Sequence, residues 1–194
     1  MISAVLLAAG ESRRMGEFKQ LLPIGGKTFV ERSVDNLLAS RAGEVIVVTG
    51  HREKEVRAVL ADRPVRFVHN PDYALGMSES IKRGVAAVSE DARAVVIALA
   101  DQPLITPDII DRIIDAYEAH DSPLVIPSFE GRNGHPVILD IRLKREVLEM
   151  DSSQGLRQVV YAHKSEACYV EVQSRAILID FDYPEDYERL KNSR

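Results

Sequence analysis

The sequence predicts an α/β protein: a three-layer α/β/α sandwich on a mostly parallel sheet. Three observations carry that prediction. The clearest strand-length runs, "SAVLLAA" at 3–9, "EVIVVTG" at 44–50 and "RAVVIALAD" at 93–101, have apolar centres without alternation, which marks strands covered by helices on both faces. The segments between them carry apolar residues at helical spacing. Strand and helix then alternate along the chain, the pattern of parallel strands joined by crossover helices.

Each element has its own signal. After the first strand and a glycine-containing loop, a helix is predicted over 28–40. Val30, Val34, Leu37 and Leu38 lie on one face, and Thr28 with Glu31 predicts a capping box at its start. The second strand, 44–50, precedes a short helix over 53–60 with Val56, Val59 and Leu60 inward. "VRFVHN" at 65–70 is the third strand, and the helix after it carries Ile81, Val85 and Val88, with Ser78 placed as its cap. The strand at 93–101 is the most continuous. The next helix has Thr106 as cap, Pro107 in its first turn, and Ile109, Ile110, Ile113, Ile114 and Tyr117 on one side. "PLVIP" at 123–127 and "HPVIL" at 135–139 are further strand-like runs. The last third is less regular: helices near 142–150 and 154–163, strands near 168–172 and 176–179, and a helix from Pro184.

The length of 194 residues suits one domain spanning 1–194. A net charge of -5 argues against nucleic acid as a partner, because such surfaces are basic overall. It leaves room for a local basic cluster that binds a small anion. The single cysteine, Cys168, cannot form an intramolecular disulfide, and the first residues lack the pattern of a signal peptide. The run "AVVIALA" at 94–100 is far too short to cross a bilayer. No membrane association is expected, and the expected location is cytoplasmic.

In such folds ligands bind beyond the carboxyl ends of the strands, which directs attention to 9–19, 49–51, 70–80 and 101–104. "GGKT" at 25–28 is not a P-loop, since Leu21 stands where the first glycine is required, and the Gly-x-Gly-x-x-Gly fingerprint is absent. The loop after the first strand has its own logic. Gly10 allows backbone N–H groups close to a ligand, while Arg14 and Lys19 bring a planar fork and a point charge to phosphate oxygens. The alternative is a solvated loop with incidental cations. Asp101, just past the most apolar strand, is placed to hold Mg²⁺ against phosphate oxygens or to serve as a turn residue. Asp182, three residues before Glu185, reads equally as a cap for the last helix. "GMSES" at 76–80 lacks the second glycine of a nucleophile elbow. His51 and His135 have no zinc-ligand spacing to Cys168 or to each other.

"LAAGESRRMGEFKQLL" resembles the signature of the nucleotidyltransferases that attach a nucleotide to the molybdenum cofactor. Further matches follow in order: "TGHR" at 49–52, "NPDYALGMSESIKRGV" at 70–85, "ADQPL" at 100–104, "GHPVIL" at 134–139 and "IDFDYPEDY" at 179–187. "LAAG" is similar to the molybdenum cofactor cytidylyltransferase branch; the guanylyltransferase branch shows a further glycine in place of Ala9. "DSSQGLRQVV" at 151–160 is loosely similar to the family's Gly-Asp-x-Gly-x-Arg stretch, and Arg157 is read as part of a helix-start loop.

The resemblance implies a Rossmann-like sheet of the nucleotide-diphospho-sugar transferase type. It implies transfer of CMP from CTP to the terminal phosphate of a molybdopterin-type acceptor, with Mg²⁺ as cofactor and a molybdenum hydroxylase apoenzyme as a further partner. Arg14, Lys19 and Asp101 are then catalytic. Leu7, Ala8, Ala9, Gly10, Arg14, Lys19, Thr49, Gly76, Ser78 and Ser80 bind the nucleotide, and Gln102 and His135 face the acceptor. Asp101 with Asp180 or Asp182 holds the metal. The Ala9 methyl is expected to narrow the base site in favour of a pyrimidine. Three other readings stay open: another phosphorylated acceptor such as a sugar or alcohol phosphate, GTP as donor, and a non-catalytic module that delivers nucleotide or cofactor.

Overall fold

The computed structural model describes residues 1–192. In chain order the elements are β1 (Ile2–Ala8), a hairpin of β2 (Pro23–Ile24) and β3 (Lys27–Thr28), α1 (Phe29–Leu38), β4 (Glu44–Thr49), α2 (Glu53–Val59), β5 (Arg66–His69), α3 (Met77–Ala86), β6 (Ala94–Leu99), α4 (Pro107–Ala119), β7 (Leu124–Phe129), β8 (Arg132–Asn133), β9 (Val137–Asp140), α5 (Lys144–Glu149), α6 (Leu156–Ala162), β10 (Cys168–Glu171) and α7 (Pro184–Asn192). The main sheet runs β10-β7-β9-β6-β1-β4-β5, with β8 paired to β7. β1 pairs in parallel with β4 and β6, placing Leu7 beside Val48 and Leu99. β9 alone reverses direction along that path, pairing antiparallel with both β6 and β7.

The period of two along β1 divides the interior. Ala4, Leu6 and Ala8 join Val30, Val34 and Leu37 of α1 and Ile109, Ile110, Ile113 and Ile114 of α4 on one face. Val5, Leu7 and Ala9 join Ile81 and Val85 of α3 and Val147 of α5 on the other. This is the three-layer sandwich expected from the sequence. α3 lies so close to β1 and β4 that a Cβ on Gly84 would stand 2.3 Å from Val5 Cγ1 and 3.0 Å from Val48 Cγ2. A third, smaller cluster places Met15, Leu22, Ile24 and Phe29 against Phe181 and Tyr187. It fastens the C-terminal segment onto the loop that follows β1.

The capping box of α1 is complete: Glu31 N–H donates to Thr28 Oγ1 at 3.3 Å, and Thr28 N–H donates to the Glu31 carboxylate at 2.7 Å. "GGKT" belongs to the β2–β3 hairpin, whose two turn residues have φ of 60° (Gly25) and 81° (Gly26), the left-handed pair that a two-residue turn requires. Four expectations are corrected. Residues Arg175–Leu178 form a 3₁₀ turn, not a strand, with Ser174 Oγ accepting from Ala176 N–H at 3.2 Å. The turn lets the consecutive residues Ala176 and Ile177 both enter one core, which a strand would send to opposite faces. Thr106 occupies the cap position of α4 but its side chain makes no capping bond. Ser78 is not the cap of α3, because the helix begins at Met77 after Gly76 and Ser78 Oγ donates to Ser152 O at 2.8 Å. Asp182 does not cap α7, since its oxygens bind Lys19 and Arg14; Asp186 fills the capping role by accepting from Tyr183 N–H at 3.1 Å. No helix among the described residues is long and apolar enough to cross a membrane.

Candidate active site

The loop after β1 is held from inside by one amide. Gln20 is 3% exposed. Its Nε2 donates to Gly10 O at 2.9 Å, its Oε1 accepts from Ser12 Oγ at 2.9 Å, and Ser12 Oγ accepts from Lys19 N–H at 3.1 Å. Met15 and Phe18 anchor the same loop in apolar surroundings. With its interior fixed, the loop turns Gly10, Glu11, Ser12 and Arg13 toward a cleft of about 320 Å³, whose other walls include Leu7, Ala9, Tyr73, Gly76, Ser80 and Asp101. Gly50, at the end of β4, is required here: a Cβ would stand 2.7 Å from Tyr73 and 2.9 Å from the Ala9 methyl.

Lys19 crosses the mouth of the cleft. Its ammonium bonds the carboxylates of Asp101 and Asp182, the latter at 2.9 Å. Burial opposes charge on Lys19, but the two carboxylates outweigh it and hold the pKa above the ordinary lysine value. Arg14 pairs with the other oxygen of Asp182 at 2.7 Å and stacks over Tyr183. Asp180 keeps contact with solvent, yet the protein packed around its carboxyl, with the charges of Asp101 and Asp182, raises its pKa; the 2.7 Å hydrogen bond from Gln102 Nε2 opposes that.

A second cleft, of about 580 Å³, adjoins the first and shares Met77 and Leu99 with it. Ser78, Ile81, His135, Gly155, Arg157 and Val160 line it. Burial lowers the pKa of His135, and its Nδ1 is buried without a partner among the described residues.

Most of the residues singled out in the sequence therefore meet around these two clefts, with exceptions that have clear causes. Thr49 and Ala8 fall on the sheet face opposite Leu7 and Ala9 by simple alternation; Thr49 is fully buried and its hydroxyl bonds Glu53 at 3.0 Å. Gln102 does not face an acceptor cleft. The residue is 3% exposed, and its Oε1 has no partner among the described residues, next to a void of about 10 Å³ bordered by Ser33 and Asn36. Ser78 lines the second cleft, not the first. Tyr73, Gln20 and Gly50 were not singled out. Gln20 carried a readable signal as the one uncharged polar residue in an otherwise charged and apolar loop end. Arg157, read as a helix-start residue, stands in the wall of the second cleft, because Gly155 turns the chain at φ 67° immediately before α6.

Cations facing carboxylates beside a glycine-containing loop, at the carboxyl edge of a mostly parallel sheet, place this site where α/β proteins bind their ligands. Comparison with known proteins gives the class: the family model for the MobA-like NTP transferase domain matches residues 4–167, and the chain belongs to that family. It is a nucleotidyltransferase. Molybdenum cofactor cytidylyltransferase from Escherichia coli (strain K12) is 30% identical over 189 residues, covering 96% of this chain and 93% of that one. Nicotine blue oxidoreductase from Paenarthrobacter nicotinovorans is 32% identical over 174 residues, 84% of this chain and 82% of that one. Among solved structures, Rv0371c from Mycobacterium tuberculosis H37Rv superposes with a TM-score of 0.87 at 27% identity, covering 98% of this chain and 97% of that one; the same protein is also known in complex with manganese. These relatives are named for different activities, so the similarity leaves the substrates to the site.

Proposed function

We propose that the protein transfers CMP from CTP to the terminal phosphate of a molybdopterin-type acceptor and releases pyrophosphate. The observation that carries this reading is the position of Lys19 between Asp101 and Asp182, in a cleft under the β1 loop that adjoins a second, larger one. The first cleft suits the nucleotide, with the triphosphate under the loop and the base near Ala9, Tyr73 and Ser80. The second suits a planar heterocyclic acceptor whose phosphate reaches toward the junction.

The residues present fit a divalent ion. Asp101 and Asp182 already converge on one cation, and Mg²⁺ prefers one or two carboxylates completed by phosphate oxygens and water. Among the described residues no group of three or more His, Cys, Asp or Glu side chains is arranged for a metal, so the protein's share would be these two carboxylates. Asp180 is committed to Gln102, which favours Asp182 as the second ligand. Bound there, the ion would neutralise charge on the transferring and leaving phosphates. Lys19 then turns from the carboxylates to the phosphates, and Arg14 adds a second cation at the leaving group. An acceptor phosphate oxygen forms the new bond to the α-phosphorus, and the bond from that phosphorus to the oxygen bridging to the β-phosphate breaks. Pyrophosphate carries away the electron pair. No protein nucleophile is needed, since positioning and electrostatics suffice. On this reading the reaction is cytoplasmic and its product passes to a molybdenum hydroxylase apoenzyme.

The test is to incubate the protein with Mg²⁺, molybdopterin and each of the four triphosphates, and to identify the product by mass. The expected result is a cytidine dinucleotide with stoichiometric pyrophosphate, and a fall of about 100-fold or more in Asp101→Ala. Product from GTP alone, or full activity in the variant, would overturn the reading.

A further inference from the structure

Asn70, just after β5, is fully buried and does not line either cleft. Its side-chain oxygen accepts two hydrogen bonds from groups that can only donate: the Asp72 backbone N–H at 3.0 Å and Arg83 Nε at 3.0 Å. Arg83 is itself fixed by Asp72 at 2.6 Å. These donors set the amide's orientation, so the Asn70 nitrogen faces Ser80 and donates to its Oγ at 2.9 Å.

The consequence falls on Ser80. A hydroxyl has one proton to give and two lone pairs. Asn70 occupies one lone pair, and no acceptor among the described residues takes the proton. Ser80 lines the nucleotide cleft beside Leu7, Tyr73 and Gly76. The hydroxyl proton is therefore available to whatever occupies that wall.

We propose that Asn70 is a positioning residue for base selection: it locks Ser80 as a hydrogen-bond donor, so the site takes a ring nitrogen without a proton and rejects a ring N–H. Resting on the reading that the cleft holds a nucleotide, this selects cytosine N3 over the N3–H of uracil, and adenine N1 over the N1–H of guanine. Two donors face to face leave both unpaired in a buried place, which costs roughly 10- to 100-fold in affinity.

The substitution Asn70→Asp tests it. Aspartate keeps an oxygen for Arg83 and the Asp72 N–H, but places a second oxygen against Ser80. The hydroxyl then donates to the carboxylate and presents lone pairs to the cleft. Calorimetric titration with the magnesium salts of all four triphosphates is expected to show wild-type preference for CTP over UTP. In Asn70→Asp the CTP-to-UTP affinity ratio should fall about 10- to 100-fold, with UTP binding tightened. Equal weakening of both nucleotides, as a merely structural lesion would give, overturns the proposal. Ser80→Ala covers the case in which Asn70→Asp fails to fold: it should shrink the ratio by weakening CTP and removing the unpaired donor that opposes UTP, and an unchanged ratio overturns the proposal. The wild-type panel separates the two readings. Preference for ATP over CTP refutes the cytosine assignment and moves this test to the ATP-to-GTP ratio. Preference for UTP or GTP refutes the placement of the Ser80 donor against the ring nitrogen, since their carbonyl oxygens can also accept from a hydroxyl.

Discussion

At Gln20 both ends of one amide are used: the nitrogen bonds Gly10 O, the oxygen holds Ser12, and Ser12 in turn receives the Lys19 backbone. The charged neighbours can bind a ligand only if their backbone already has the right path. Gln20→Ala leaves the Gly10 carbonyl and the Ser12 hydroxyl without their partner, a loss of about 1–3 kcal/mol. It is expected to raise the KM for nucleotide by about tenfold with a smaller effect on kcat, measured by steady-state pyrophosphate release. Lys19 follows the same logic of neighbours. Its charge is stabilised by Asp101 and Asp182, and on the proposed reading a nucleotide with its metal would offer all three groups new partners at once. The cations of the loop were legible in the sequence because charge is a property of the residue. The part played by Gln20 was not, because it depends on which backbone groups the loop leaves inside.

The helices on the cleft side of the sheet differ in how they are secured. α3 packs closely through Gly84 and carries Ser80 on a rigid face. α6, which lines the second cleft, is joined to α5 at the surface by His163, whose ring nitrogens meet Glu146 at 2.8 Å and Glu166 at 3.1 Å. The hydrogen bond to Glu146, supported by Glu166, raises the His163 pKa above its ordinary value against a smaller opposing effect of burial. A group whose pKa is higher folded than unfolded contributes stability that is full below the unfolded value, about 6.5, and is lost as pH rises through the folded one. The melting temperature of His163→Gln is therefore expected to lie about 2 °C below that of the parent at pH 6 and to approach it toward pH 9, followed by thermal scans across that range. The existence of most helices and strands was readable from apolar spacing. The 3₁₀ turn at Arg175–Leu178 was not, because two adjacent buried residues fit a strand pattern as well as a turn until their neighbours are known.

Across the whole molecule the site joins a carboxylate from mid-chain, Asp101, to one from the C-terminal segment, Asp182. Asp182 lies 163 residues from the Lys19 it binds. Phe181, between Asp180 and Asp182, is 2% exposed and meets the edge of the Phe29 ring at 5.0 Å. With Tyr187, that buried ring packs the segment carrying both carboxylates against α1 and the β1 loop. Phe181→Ala is expected to cost about 3–5 kcal/mol in chemical denaturation. In the fraction that stays folded, the Mg²⁺ concentration for half-maximal activity should rise several-fold, checked by metal titration of pyrophosphate release. An unchanged metal requirement would mean that the carboxylates are held by something else.

The sequence by itself determined the layered α/β architecture, the position of the β1 loop at the carboxyl edge, and the residue types able to meet phosphate and metal. Those are short-range properties: apolar period, turn chemistry and charge. Only the tertiary structure decided which of those side chains face the same space. The pleat turned Thr49 and Ala8 to the far side of the sheet, packing drew Gln102 inward, and chain closure set Asp182 rather than Asp180 against Lys19. The Asn70–Ser80 bond likewise exists only once a strand end and a helix face are packed together. Direction and contact are properties of the packed core, and no stretch of the chain encodes them alone.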